Sequence, residues 1–249
     1  MENNERPLMR NKLFGAFLLT VGLFALALIV LRVCCYEFEY DPQYYPVDYG
    51  RFNFFSYFTV QSNLYVCFYL FCLAFAVFGN NKAKKMAFNP IVRLTVTTYI
   101  IVTGAVYCSG IPMGMTPPLY WDGFQHIMLS TVQVFHHMIM PPFMLILFLI
   151  PPTSKQIEKK KIPIVGIYPF VYSLFSIARG ALTSKHFFAY PFYRPEFFWN
   201  LFFKSKEMNM LSAYLFMLPM LIMGIGVFLL LALILTVIYN RICKSMKKE

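Results

Sequence analysis

Charged side chains are scarce in this sequence. Only 13% of its 249 residues are Asp, Glu, Lys or Arg, against about a quarter in a soluble domain, and 59% are apolar. A water-soluble globule of this length cannot hide that much apolar surface, because accessible area shrinks too slowly with mass. A bilayer must hide it instead. Cysteine patterning is missing too: Cys34 and Cys35 are adjacent and the other four are scattered, so neither a zinc site nor a disulfide framework is indicated. The chain has no internal repeat, no low-complexity tract and no soluble recognition domain, and no nucleic-acid partner is expected. Leu31, Arg32 and Val33 before Cys34 lack the small residues of a cleavage site, so the first apolar segment is expected to stay attached.

What is present is long apolar runs. Six segments approach or exceed the roughly 20 residues needed to cross the hydrocarbon core, near 13–34, 52–78, 91–111, 123–150, 163–183 and 210–239. They predict an all-α, six-helix transmembrane bundle as a single domain over 1–249. Only neutral polar residues, Thr59, Gln61, Ser62 and Asn63, interrupt segment two, whereas segment five carries Arg179, Gly166, Pro169 and Gly180. With six crossings, fifteen of the 22 basic residues fall on one side. They are Arg6, Arg10 and Lys12; Lys82, Lys84, Lys85 and Arg93; Lys155, Lys159, Lys160 and Lys161; and Arg241, Lys244, Lys247 and Lys248. The alternate loops hold Glu37, Glu39, Asp41, Asp48, Asp122, Glu196 and Glu207. The positive-inside bias therefore predicts a multi-pass protein of the cell membrane with both termini cytoplasmic. The net charge of +11 then reflects basic loops lying against anionic headgroups.

Polar side chains at membrane depth are costly, and function is sought among them. Segment four holds His126, Ser130, Gln133 and His137 at offsets 0, 4, 7 and 11, and segment two holds Ser56, Thr59 and Asn63 with Ser62 beside them. Segment five holds Tyr168, Tyr172, Ser176, Arg179 and Thr183. Each set forms one stripe at 3.6 residues per turn, and three stripes in one bundle are expected to face each other. The bland alternative is interhelical hydrogen-bond glue, worth about 0.6 kcal/mol per side chain, and Ser56, Ser130 and Ser176 are read that way. His137 stands between function and structure; His126 lies near the interface and reads as an ordinary wet histidine. Arg179 has no acid within any segment to pair with. It either snorkels to headgroups or meets the carboxylate of an acidic lipid. The stretch FFAYPFYRPEFFWNLFF (187–203) reads as an interfacial segment, with a roof over a lipid-accessible cavity as the alternative.

Three stretches resemble a known family. YFTVQSNLYV (57–66), FHHMIMPPFML (135–145) and YPFVYSLFSIARGALT (168–183) followed by YPF (190–192) are similar to helices two, four and five of the androgen-induced and androgen-dependent membrane proteins and their bacterial relatives. In bacterial members F-T-x-Q-S-N is typical. The resemblance implies a six-helix intramembrane hydrolase of fatty acid esters of hydroxy fatty acids, with a Thr nucleophile and a His. The Thr matches Thr59; the His matches His137, not His136, because Pro142-Phe143 keeps its spacing.

The implied chemistry is acyl transfer. A Thr hydroxyl needs a neighbouring base, and a neutral imidazole can serve. Thr59 and His137 are the candidate catalytic pair, and Gln61, Asn63, Gln133, Tyr172 and Arg179 the candidate substrate-binding residues. Gln61 or Asn63 is assigned to the oxyanion. No metal or cofactor is expected; the partners are membrane lipids and a lipid or fatty acid ester substrate, and the oligomeric state stays open. Counted from Arg51 and Asp122 along straight helices, Thr59 and His137 differ in depth by about 10 Å. The rival reading is a transporter of a small molecule, lipid or ion, whose path the polar stripes would line; a haem or metal protein and a receptor or scaffold rank below it.

Overall fold

A computed structural model describes residues 5–34, 51–114, 116, 118–182, 188–203 and 209–247. Glu37, Glu39, Asp41 and Asp48, together with Thr183, Phe187, Glu207 and Lys248, lie outside the described residues. Helices dominate, with no strand among the described residues: α1 Lys12–Cys34, α2 Phe58–Val77, α3 Asn81–Ala87, α4 Pro90–Gly110, α5 Gly123–Val134, α6 Met140–Phe148, α7 Ile164–Leu182, α8 Pro195–Phe203 and α9 Met210–Ser245. Phe135–Ile139 joins α5 to α6 as a π-helical turn. Six helices, counting Gly123–Phe148 as one, are long and apolar enough to cross a bilayer. The chain is a multi-pass integral membrane protein. It packs as two units, residues 1–159 with 233–249, and residues 160–232.

In the first unit, α1 lies along α2, and glycines allow the approach. A Cβ at Gly15 would lie 2.9 Å from the Phe78 ring, and one at Gly22 would lie 2.8 Å from Phe71. Small residues at such positions are how membrane helices gain close van der Waals contact, since lipid supplies no hydrophobic drive between helices.

Segment two enters its helix later than the sequence suggests. Residues Arg51–Ser56 form a 3-10 turn, in which the Ser56 hydroxyl lies 2.5 Å from the Asn53 carbonyl and 2.9 Å from its side-chain oxygen. Such local bonds compete with an α-helix, and Tyr57 is extended at φ −79, ψ 132. Ser56 therefore does not belong to the α2 stripe. At the far end α2 stops at Gly79, whose φ of 97 lets the Asn80 N–H reach back to the Phe75 carbonyl at 2.9 Å, a Schellman closure. Asn80 then caps α3 by accepting from the Ala83 N–H at 2.9 Å. Asn89 caps α4 by accepting from Ile91 at 3.1 Å, ahead of Pro90. Both are favoured first-turn chemistries.

α4 is the centre of this unit, packing against both α2 and α6. Arg93, which the sequence assigns to a basic loop, is 1% exposed within it. Its Nη1 donates to the Tyr69 hydroxyl at 2.5 Å, and its Nη2 donates to the carbonyls of Leu147 and Ile150 at 2.6 and 3.1 Å. The last carbonyls of a helix carry partial negative charge and lack intrahelical donors, so this guanidinium closes the end of α6. Around it lies the basic end of the unit, where Lys84 pairs with Glu5 at 2.9 Å and the Asn240 side chain brackets Ile157 through its N–H and C=O at 2.8 and 2.9 Å.

In the second unit, Gly166 of α7 faces Leu229 and Ile225 of α9, and Phe188 lies against Gly180. The Ser173 hydroxyl bonds the Pro169 carbonyl at 2.8 Å and lies 2.9 Å from the Tyr193 hydroxyl. The aromatic run is helical over α8, where Phe202 and Phe203 both meet Phe216 edge-on at 5.4 and 5.3 Å.

Arg93→Lys leaves one point charge where a fork reached three acceptors. The expected result is a loss of about 1–2 kcal/mol, read as a thermal midpoint several degrees lower in detergent; an unchanged midpoint would contradict the capping role.

Candidate functional site

The polar layer is organised by α4. Thr103 and Tyr107 stand one turn apart on it, so they share a face. Thr103 Oγ1 lies 2.7 Å from Ser62 Oγ. Ser62 spends its own hydrogen on the Thr59 carbonyl at 2.9 Å, which makes the Thr103 hydroxyl the donor between them. Tyr107 donates through its hydroxyl to Gln133 Oε1 at 2.6 Å, and its ring stacks on His137 with centroids 4.2 Å apart and planes 18° apart.

The π turn sets where the two histidines point. Neither Pro141 nor Pro142 has an N–H, so the His137 carbonyl loses both its α donor and its π donor. The helix widens, and the Met140 N–H bonds the Phe135 carbonyl. A lone π turn of this kind often marks a functional position. Across the widened turn, His136 faces α1 and puts Nε2 3.0 Å from the Ala25 carbonyl; it is 4% exposed and pins two helices together. His137 faces α4, and its Nδ1 lies 3.0 Å from the Gln133 carbonyl. A carbonyl only accepts, so Nδ1 carries a proton, and in the neutral ring the lone pair is then on Nε2. None of the described residues pairs with that Nε2.

Depth follows from α4 as a common ruler. α2 and α4 run antiparallel, and Ser62 meets Thr103. Thr59 lies three residues from Ser62 away from the basic end, and Tyr107 lies four from Thr103 in the same direction. At 1.5 Å per residue these are steps of about 4.5 and 6 Å, so along α4 the backbone positions of Thr59 and Tyr107 differ by only about 1.5 Å. The start of α5 stands clear of other helices: residues 121–127 are all exposed. The chain before it folds back, with the Ser130 hydroxyl bonding the Tyr120 carbonyl at 2.7 Å and accepting from its N–H at 3.0 Å. Thr59 and His137 are half-buried, whereas Ser62, Asn63, Thr103, Tyr107 and Gln133 are buried.

The amides of α2 are engaged elsewhere. Gln61 Nε2 donates to the Phe55 carbonyl and Asn63 Nδ2 to the Thr59 carbonyl, each at 2.8 Å. Asn63 Oδ1 is a buried acceptor with no partner among the described residues, a position that suits a donor from water or ligand. His126 sits at the exposed end of α5 with Nδ1 2.9 Å from Asp122, and this bond holds the exposed Asp122 carboxyl below its ordinary range. Tyr172 and Arg179 belong to the second unit. Tyr172 is buried with its ring 6.1 Å from that of Tyr193, and Arg179 is half-buried in the last turn of α7. Among the described residues, no three His, Cys, Asp or Glu side chains come together.

Sequence reasoning sought the site on segments two, four and five, and so missed Thr103, Gly104 and Tyr107 on α4. The available signal was a Thr-Gly pair followed one turn later by Tyr within a β-branched helix. Gly104 is the point of contact: a Cβ there would lie 2.8 Å from the His137 carbonyl oxygen and 2.6 Å from the Pro141 ring. The chain matches no protein-family model, no curated protein and no solved structure.

Gly104→Ala forces α4 away from the π turn, and overpacking of this kind costs about 1–3 kcal/mol. The expected outcome is a lower thermal midpoint together with weakened Tyr107–His137 stacking; a variant as stable as wild type would show that the contact is loose.

Proposed function

We propose that this protein is an intramembrane lipid-ester hydrolase in which Thr59 is the nucleophile and His137 the general base. The observation that carries the reading is the shared register on α4: Ser62 on Thr103 and His137 on Tyr107, with Thr59 one turn from Ser62 on the same side. The tautomer of His137 adds support, because its lone pair is on Nε2, the nitrogen without a described partner. The resemblance of 57–66, 135–145 and 168–183 to the androgen-induced and androgen-dependent membrane proteins favours the same pair and a fatty acid ester substrate. The basic residues gathered at one end favour a cell-membrane protein with cytoplasmic termini.

The reaction divides into two halves. Thr59 Oγ attacks the ester carbonyl carbon while His137 Nε2 takes the hydroxyl proton, and a tetrahedral oxyanion forms. Its collapse breaks the bond to the leaving oxygen, which receives the proton from Nε2–H, and the alcohol departs. A water molecule then attacks the acyl-Thr59 carbonyl and gives its proton to Nε2. Breaking the Thr59 ester bond releases the fatty acid and returns the proton to Oγ. The backbone bond from Nδ1 to Gln133 holds the ring through both halves, the orienting role that a third residue plays beside a base.

Thr59→Ala and His137→Ala are expected to lower hydrolysis of 4-nitrophenyl octanoate by purified protein at least 10²-fold, the lower end of what a positioned base contributes, roughly 10²–10⁴. Expression and elution volume should be unchanged, and a fluorophosphonate probe should label wild type but not Thr59→Ala. Full activity in either variant would sink the mechanism.

A further inference from the structure

We infer that Gln133 supplies the hydrogen-bond donor for the carbonyl oxygen of the ester, and that Tyr107 is the positioning residue which aims both Gln133 and His137. The inference rests on the hydrolase reading and deepens it. An ester hydrolase must place a donor where negative charge develops, and the two amides nearest Thr59 in sequence have each spent an N–H on their own backbone. Gln133 differs. Its Oε1 accepts the Tyr107 hydroxyl at 2.6 Å, which fixes the amide with the opposite edge turned away from Tyr107. That edge is Nε2, carrying two hydrogens that none of the described residues receives. Gln133 is 8% exposed, so a donor held there is largely withdrawn from competing solvent, where such a bond is worth more than in water.

Tyr107 acts through two surfaces at once. Its hydroxyl orients Gln133, and its ring lies flat on the His137 imidazole at 4.2 Å. Gln133 and His137 are one turn apart and are also joined by the bond from Nδ1 to the Gln133 carbonyl. The donor and the base are therefore held as a pair against one aromatic residue of α4. The ligand this arrangement suits is a neutral acyl carbonyl: the donor is an uncharged amide and the base an uncharged imidazole.

The test uses the full chain purified in detergent with 4-nitrophenyl octanoate as substrate, and thermal midpoints measured alongside. Gln133→Met is expected to lower kcat about 10²-fold, the scale for losing one oxyanion donor, with KM within about twofold. Tyr107→Phe keeps the stacked ring and loses only the hydroxyl; kcat is expected to fall roughly tenfold, the worth of one hydrogen bond, at an unchanged midpoint. The double variant should be no slower than Gln133→Met alone, because Tyr107 works through Gln133. Losses that multiply in the double variant would overturn the positioning role. Wild-type kcat in Gln133→Met or Tyr107→Phe, with Thr59→Ala inactive, would overturn the inference and leave the hydrolase reading standing. Equal rates in wild type and Thr59→Ala would remove that reading and the inference with it.

Discussion

The His137 carbonyl is the constraint on which the site depends. Two consecutive prolines deny it a helical donor, and a lipid environment offers no water to replace one. The helix answers by widening into a π turn, and α4 answers by bringing Gly104 against the oxygen, where Cα–H contact is the closest approach available. Two polar pairings flank that meeting. One turn outward along α4 Tyr107 stacks on His137; beside the contact Thr103 bonds Ser62. A residue with a side chain at position 104 would separate the helices and with them the two halves of the constellation.

The adjacent histidines of this turn make unlike contacts. In a regular helix His136 and His137 would be a quarter-turn apart on neighbouring faces. In the π turn one is pinned to α1 through Ala25 and the other is stacked on α4. The buried His136 is committed to a backbone carbonyl and ties the fourth crossing to the first. His137 shares its Nδ1 with its own helix and keeps the opposite nitrogen unclaimed by the described residues.

The helical architecture and the six long apolar helices were legible because hydrocarbon thickness fixes helix length. Ser62, Asn63 and Gln133 were legible as polar interruptions at helical spacing. What the sequence hid is what depends on partners. Thr103 and Tyr107 look like ordinary residues of an apolar helix until Ser62 and His137 are seen opposite them. Arg93 reads as a loop charge, and only the end of α6 shows why it is buried. Relative depth is not legible from helix ends. The entry of α2 at Phe58 and the exposed first turns of α5 both fall outside what hydropathy resolves. The bonds of Gln61 to the turn before α2 and of Asn63 to the Thr59 carbonyl were hidden too, because side-chain bonds to nearby backbone leave no trace in composition.

The most direct test of the central claim is intact and peptide-level mass spectrometry of the purified protein after brief reaction with 4-nitrophenyl octanoate and acid quench. A covalent intermediate predicts a single added octanoyl group, located on the peptide containing Thr59 and absent from Thr59→Ala. Turnover with no adduct on that peptide, or an adduct on another residue that survives Thr59→Ala, would contradict it.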